Sequence, residues 1–122
     1  MTSSTSEKNL ATAVAYYTAM SKQDFASLEK YIHPDIEFIG PIASVRGRDT
    51  VLKAARGFAP LIKSLTIRAK FASGDQVMLA YDYDFAEPIG NSRAASLMTF
   101  QDGLIVKQEL FYDARPFVNF SV

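Results

Sequence analysis

Two aspartates lie two residues apart in a stretch that is otherwise aliphatic and aromatic. Asp82 and Asp84 belong to the segment Val-Met-Leu-Ala-Tyr-Asp-Tyr-Asp-Phe, residues 77–85. In an extended strand, side chains at i and i+2 point to the same side, about 6–7 Å apart. Carboxylates at this spacing can share a proton, and burial raises the pKa of a carboxyl enough for it to act as a general base near neutral pH. The alternative is an open strand end where water solvates both groups.

Other residue types that do chemistry are sparse in this chain. It has one histidine and no cysteine, so we predict neither a zinc site nor a disulfide framework. His33 precedes a proline, and for it we expect a capping or surface role rather than catalysis. The sequence carries no phosphate-binding loop, nucleophile elbow or dinucleotide fingerprint. We therefore predict no metal and no cofactor.

The length and charge of the chain limit its class. Its 122 residues fit a single domain, residues 1–122, that can bury a core of its own. Thirteen basic residues balance thirteen acidic ones, so the net positive charge typical of nucleic-acid binders is missing. The sequence contains neither an apolar run of the roughly 20 residues that a membrane span needs nor the apolar core of a signal peptide. We expect a cytoplasmic protein without nucleic-acid or membrane partners.

The first half of the chain has helical spacing. Apolar residues recur at this spacing through residues 10–20, which predicts a helix from about residue 7, with Ser6 available as its cap. Asp24 can cap a second helix, which Pro34 would end. A short strand at residues 36–39 then stops at Gly40-Pro41. Asp49 is the predicted N-cap of a third helix, whose apolar face includes Phe58.

The second half reads as strands joined by turns. Strands are predicted at residues 65–71, 77–87, 92–100 and 104–113, and Asp102-Gly103 is a strong hairpin signal. Helices followed by hairpin-linked strands favour an α+β fold, with three helices packed on a strongly curved, mostly antiparallel sheet. Both the odd and the even positions of residues 77–87 include apolar residues, so both faces should be covered. A second copy of the chain would do this most simply, and we predict a homodimer.

The order of these elements resembles the nuclear transport factor 2-like superfamily, and its SnoaL-like members most closely. The resemblance covers about residues 7–117. It depends on the strand ending in Gly40-Pro41, the Arg-Gly-Arg-Asp at residues 46–49, the Glu-Leu-Phe-Tyr-Asp at residues 109–113 and the loose motif His-Pro-Asp-Ile-Glu-Phe at residues 33–38. It implies a cone-shaped roll whose helices and bent sheet enclose a pocket for an apolar small molecule. The superfamily includes ketosteroid isomerases, polyketide cyclases and epoxide hydrolases, besides members that only bind or assemble, so the fold alone does not give the activity.

The ketosteroid isomerases can be compared with this chain residue by residue. Tyr16 falls on the tyrosine that donates a hydrogen bond from the first helix of those enzymes. Gly40 falls where they have an aspartate base, and Ser96 lies on or next to their second hydrogen-bond donor. The resemblance thus implies an oxygen-polarising tyrosine without the usual base.

Two other activities of the superfamily match less well. Epoxide hydrolases have Arg-x-Asp on the middle strand, where this chain has Asp82-x-Asp84, and an aspartate on the last strand, near Leu110. SnoaL-like cyclases use a single aspartate base and no cofactor, and Asp82 is the available stand-in. The resemblance implies a pocket lined by further side chains from the third helix and the strands: Phe58, Met78, Ala80, Asp84, Ser96, Met98, Gln108, Leu110 and Tyr112.

Two hypotheses follow. In the first, the protein is a cofactor-independent isomerase or cyclase: Tyr16 polarises the carbonyl of an apolar compound and Asp82 moves a proton. In the second, it is a non-catalytic ligand-binding or dimeric assembly module of the same fold.

Overall fold

Helices and a single sheet make up the part of the chain that the computed structural model describes, residues 2–117. The helices are α1 (Thr2–Ser21), α2 (Phe25–Lys30) and α3 (Arg48–Phe58). The strands are β1 (Ile32–Ile39), β2 (Ser44–Arg46), β3 (Ile62–Ser73), β4 (Gln76–Phe85), β5 (Asn91–Gln101) and β6 (Leu104–Tyr112). Short 3-10 turns follow α3 and β6, at Ala59–Leu61 and Arg115–Phe117. None of the described helices is long and apolar enough to cross a membrane.

The six strands form one sheet in the order β2-β1-β6-β5-β4-β3. Neighbouring strands are antiparallel except β1 and β6, which are parallel. This pairing places the first strand of the chain next to the last described strand. Register shifts interrupt β3 between Ile67 and Ala69 and the β5–β6 pair near Thr99. Such bulges bend a strand and increase its twist, which curves the sheet around the helices. The α+β class with a curved, mostly antiparallel sheet is confirmed; β2 was not predicted.

The ends of α2 show which sequence signals act locally. Asp24 caps the helix as predicted, because its carboxylate accepts hydrogen bonds from the backbone N–H and the hydroxyl of Ser27, at 3.2 and 2.7 Å. The helix stops at Lys30, however, and Ile32 begins β1 instead of continuing the helix. Pro34 disfavours helical angles at the residue before it, and the extended chain then gains a place beside β6. The prediction that His33 caps a helix is wrong, because His33 lies in β1; there its Nδ1 accepts the backbone N–H of Asp35 at 3.0 Å.

Two predicted helix starts are wrong. Gly47, not Asp49, is the N-cap of α3, and its φ of 92° is a conformation that favours glycine. Asp49 lies in the first turn, where the helix dipole favours a negative charge. The first helix begins at Thr2 rather than at a Ser6 cap, and the Ser6 hydroxyl donates to the carbonyl of Gly74 at 3.4 Å.

The hairpin between β5 and β6 forms where it was predicted. Asp102 and Gly103 have φ angles of 54° and 78°, the positive values that a two-residue turn of this kind requires. Beyond β6, the Phe117 ring packs on Phe85 and Tyr112, with centroids 5.5 and 5.3 Å apart. The rest of the apolar C-terminal segment, residues 118–122, for which we expected packing on the sheet or on a second subunit, lies outside the described residues.

The core lies between the helices and one face of the sheet, which we call the inner face. Strand β4 contributes the odd positions to it: Val77, Leu79, Tyr81, Tyr83 and Phe85 are all buried. The buried side chains of α1 and α3 pack against this wall. Because side chains alternate along a strand, the even positions of β4 form the opposite, outer face.

Candidate functional site

Helix α1 presents two tyrosines to the inner face. Tyr16 and Tyr17 are both buried, with their rings edge to face at a centroid distance of 5.2 Å. The Tyr17 ring also lies 4.5 Å from that of Tyr81 and 6.2 Å from that of Tyr83. Consecutive helical residues can both be buried here because the curved sheet faces a wide arc of α1. The result is an aromatic wall with hydroxyl groups inside it.

Hydrogen bonds join four buried residues that we call the tyrosine–glutamine cluster: Tyr17, Tyr81, Ser96 and Gln108. The Gln108 Nε2 donates to the Tyr17 hydroxyl at 2.8 Å and, more weakly, to the Ser96 hydroxyl at 3.5 Å. The hydroxyls of Tyr17 and Tyr81 lie 3.1 Å apart and share a further hydrogen bond. The cluster ties α1 to β4, β5 and β6 through groups that are all neutral.

Burial keeps these tyrosines protonated. It is the largest cause of the raised pKa of Tyr16, Tyr17, Tyr81 and Tyr83, because removal from water penalises the phenolate. Hydrogen bonds from Ser96 and Gln108 oppose this effect at Tyr17 without cancelling it. At neutral pH the hydroxyls can therefore donate hydrogen bonds to a ligand oxygen but cannot serve as bases.

One acceptor of the cluster has no partner. Gln108 Oε1 is buried and receives no hydrogen bond from any described residue. The Tyr16 hydroxyl lies beside the Gln108 amide, and a hydrogen bond with that side chain lowers the pKa of Tyr16 against the larger effect of burial. A buried polar atom in this state costs about 1–3 kcal/mol. Arg48 Nε is the other such atom, at the first turn of α3.

A row of aromatic rings leads from the cluster towards the end of the sheet. The Phe58 ring lies 5.8 Å from Tyr83 and 5.5 Å from Phe85, and Phe117 follows at 5.5 Å from Phe85. Phe58 and Phe117 are only partly buried. Phe58, predicted to contact a ligand, thus forms part of this aromatic wall at its more accessible end.

The orientation predicted for β4 is wrong. Met78, Ala80, Asp82 and Asp84 lie on the outer face, and the Asp82 Oδ1 accepts a hydrogen bond from Arg68 Nε at 2.9 Å in an ion pair with a partly exposed side chain. The five apolar side chains at the odd positions occupy the inner face instead, because burying each large one contributes about 1.5–3 kcal/mol to stability. Tyr16 and Asp82 are consequently on opposite sides of the sheet.

The predicted inner face of β5 and β6 agrees with the structure. Ser96, Met98 and Gln108 are buried there, and Leu110, which pairs with Ser96, is half-buried. Tyr112 is half-buried beside Phe117. Sequence analysis missed Tyr17 and Tyr81 as members of the cluster, although Tyr17 lies in the apolar stripe of α1 and Tyr81 in the odd set of β4. The strand pattern contained the signal for Tyr81.

The described cavities lie away from these residues. A cavity of about 610 Å³ opens along the outer side of α1, between Leu10, Thr18, Tyr31 and Lys70. A smaller one of about 180 Å³ lies beside Val14 and β3. Neither is lined by a residue of the predicted site.

The sequence matches a known protein family over most of its length. The SnoaL-like domain model matches residues 13–108, most of the chain. The chain belongs to the SnoaL-like family. No curated protein matches this SnoaL-like sequence.

Solved structures resemble this SnoaL-like domain over nearly its whole length. A Kribbella flavida protein is 25% identical, with a TM-score of 0.84 and 88% of each chain covered. A candidate ketosteroid isomerase from the same organism is 15% identical, with a TM-score of 0.80 over 88% of this chain and 79% of the other. An LEH-like epoxide hydrolase of M. tuberculosis is 14% identical, with a TM-score of 0.78 over 91% and 86%. The fold is therefore the nuclear transport factor 2-like one, with isomerase and epoxide hydrolase neighbours.

Proposed function

We propose that this SnoaL-like protein is a small-molecule pocket protein that holds an uncharged, mostly apolar compound against the inner face of its sheet. The observation that carries the proposal is the tyrosine–glutamine cluster, a buried group of neutral hydrogen-bonding side chains set in an aromatic wall. Ligand sites of this kind combine apolar walls with a few polar groups that orient the ligand. Tyr16, next to the cluster, would add a further donor for a ligand oxygen.

The proposal does not extend to proton transfer by Asp82. That carboxylate pairs with Arg68 on the outer face, so it cannot reach a ligand bound beside Tyr16. An isomerase or cyclase reaction of an apolar carbonyl compound would need a different base. Binding and polarisation of the ligand are therefore what the inner face supports best.

The test is a thermal-shift screen of the full chain against steroids, polyketide-like aromatics, terpenoid epoxides and fatty acids. A ligand at a hundred times its Kd adds about 2.7 kcal/mol to stability, which a small domain reports as a shift of several degrees. We expect the shift to shrink in Tyr16→Phe and to persist in Asp82→Asn, the matched control on the outer face. Loss of the shift in Asp82→Asn alone, or flat curves in every class, would count against an inner-face site.

A second candidate function, dimeric assembly, is favoured by the outer face of the sheet. Its exposed apolar side chains form what we call the outer patch, Phe71, Met78 and Phe111, which are 69%, 39% and 49% exposed. Strand register places a row of small residues beside them, Ala69, Ala80 and Ala95, in line with Phe111. Large side chains next to a shallow alanine row form a surface that can match a copy of itself about a two-fold axis. We propose a homodimer through this patch.

Sedimentation velocity over a concentration series tests the dimer. Phe71→Asp should weaken association at least about tenfold, because it buries an unpaired charge in the interface. Ile42→Asp is the matched control, since Ile42 is 56% exposed but lies between β1 and β2, outside the patch. A monomeric parent protein, or equal weakening by both variants, would refute the proposed interface. A cytoplasmic location stays a prediction from the sequence.

A further inference from the structure

Helix α1 lacks charge on the side that faces away from the core. From Asn9 to Ser21 it carries no charged side chain, although only its other side packs on the sheet. The side opposite the core lines the cavity of about 610 Å³, and we call this surface the α1 trough: Leu10, Ala11, Val14, Ala15, Thr18 and Ala19. Surface helices normally place charged residues towards water, and a helix that is apolar on all sides is normally buried. The composition of the α1 trough therefore indicates that a partner covers it.

The shape of the α1 trough favours a helix as that partner. The cavity opens along α1 instead of enclosing a space, so a small molecule would leave much of its surface in water. Ala11 is exposed and Ala15 is half-buried, one helical turn apart. Small side chains at these positions let a second helix approach closely.

Charges mark the two ends of the α1 trough with opposite signs. Glu7 lies towards the start of α1, and Lys22 directly follows its last residue; both line the cavity. The Lys22 N–H still donates to the carbonyl of Thr18 at 3.1 Å, so Lys22 continues the helical turn. A helix that complements the α1 trough has a basic residue opposite Glu7 and an acidic residue opposite Lys22. The α1 helix itself, turned end for end, meets this requirement.

We propose that the α1 trough binds the α1 trough of a second copy of this chain, with the two helices antiparallel about a two-fold axis between Val14 and Ala15. In this register Glu7 faces the partner's Lys22 at both ends of the interface. Val14 faces the partner's Ala15, so a larger side chain meets a smaller one on each side of the axis. Parallel helices would instead place like charges together, Glu7 against Glu7 and Lys22 against Lys22.

This interface is independent of both functions proposed above. Helix α1 packs on the inner face of the sheet, whereas the outer patch lies on the opposite face. A chain that uses both interfaces forms assemblies larger than a dimer. The α1 interface is therefore tested in the Phe71→Asp background, in which the outer patch is disrupted.

Charged substitutions on neighbouring residues of α1 test whether the α1 trough is the interface. Ala11 lines the cavity, and Thr12, next to it, lies outside the lining. In the Phe71→Asp background we expect a dimer by sedimentation velocity. Adding Ala11→Glu should weaken its association at least about tenfold, because a charge is buried without a partner, whereas Thr12→Glu should change it by less than about twofold. Circular dichroism checks that each variant folds.

Disulfide cross-linking tests the antiparallel register and does not depend on Ala11→Glu. The chain has no cysteine, so introduced thiols are the only ones present. Glu7→Cys protein is mixed with Lys22→Cys protein, both in the Phe71→Asp background, and oxidised in air with a copper catalyst. A disulfide needs Cα atoms within about 7 Å, which the antiparallel register favours at this pair alone. We expect the mixed dimer to form at least about tenfold faster than a dimer of either variant with itself.

Several outcomes would overturn the proposal. A monomeric Phe71→Asp protein that gives no mixed disulfide would leave the α1 trough without a second copy of this chain. Equal weakening by Ala11→Glu and Thr12→Glu would place the interface elsewhere. Self-linking of Glu7→Cys as fast as its linking to Lys22→Cys would contradict the antiparallel register. None of these results depends on whether a small molecule binds at the inner face.

Discussion

Four of the six tyrosines in this protein are buried, and this determines how its residues respond to pH. Tyr16, Tyr17, Tyr81 and Tyr83 keep their protons in the folded state because burial raises the pKa of each above 10.0. In the unfolded chain the same groups ionise near the ordinary value. The stability that this difference contributes is therefore fully present below about pH 10 and is lost as the pH rises further.

We predict that alkaline unfolding is steep and coincides with tyrosinate formation. Absorbance near 295 nm follows the phenolates and circular dichroism follows the fold over the same titration. The four buried tyrosines should ionise only as ellipticity is lost. Smooth titration of these four tyrosines near pH 10 with unchanged ellipticity would show that their hydroxyls are open to water.

At the scale of elements, the orientation of β4 places its apolar side chains and its aspartates on opposite faces of the sheet. Its inner side is a continuous apolar and aromatic row, and its outer side carries Asp82 in an ion pair with Arg68. A partly exposed ion pair contributes about 0–1 kcal/mol, whereas a buried leucine contributes several times more. Substitutions on the two sides of the strand should therefore differ clearly in cost.

We predict that Asp82→Asn changes the free energy of unfolding by less than about 1 kcal/mol and that Leu79→Ala lowers it by about 2–5 kcal/mol. Leu79 is fully buried and pairs with the buried Ser96, so its truncation leaves a cavity in the core. Urea denaturation followed by circular dichroism measures both. The reverse order of costs would mean that the even positions of β4 face the core.

Features that depend on a few neighbouring residues were predicted correctly, whereas features that depend on contacts between distant parts of the chain were not. The Asp24 cap and the Asp102-Gly103 turn depend on a few neighbouring residues, and both were predicted correctly. Orientation of β4 was taken from the resemblance, although the larger odd-numbered side chains already favoured the face they occupy. The parallel pairing of β1 with β6 and the bond between Tyr17 and Gln108, 91 residues apart, depend on the whole fold, and no local pattern reports them.

At the scale of the whole molecule, the central strands of the sheet should be better protected from amide hydrogen exchange than the strands at its two edges. Strand β5 is bonded on both sides, by β4 and β6, and its inner residues are buried. Strands β2 and β3 lie at the edges, and β2 has only three residues. The backbone hydrogen bonds of an edge strand break in local fluctuations that leave those of the central strands intact.

We predict that amide hydrogen exchange is slowest in β5 and at least about a hundredfold faster in β2. NMR exchange at neutral pH measures this residue by residue, with Ser96 and Met98 representing the centre and Val45 the edge. Equal protection of Val45 would indicate that something covers the β2 edge, or that the sheet opens only by global unfolding.

The parallel pairing of β1 with β6 also limits the order in which this domain can fold during synthesis. Strand β1 is made within the first 39 residues, but its partner begins at Leu104, so the early strand waits while most of the chain is synthesised. Contacts so distant in sequence require a large loss of chain entropy before they return any stability. Strand β1 can therefore join the sheet only after β6 has left the exit tunnel, which makes this pairing a late step in the folding of the domain during synthesis.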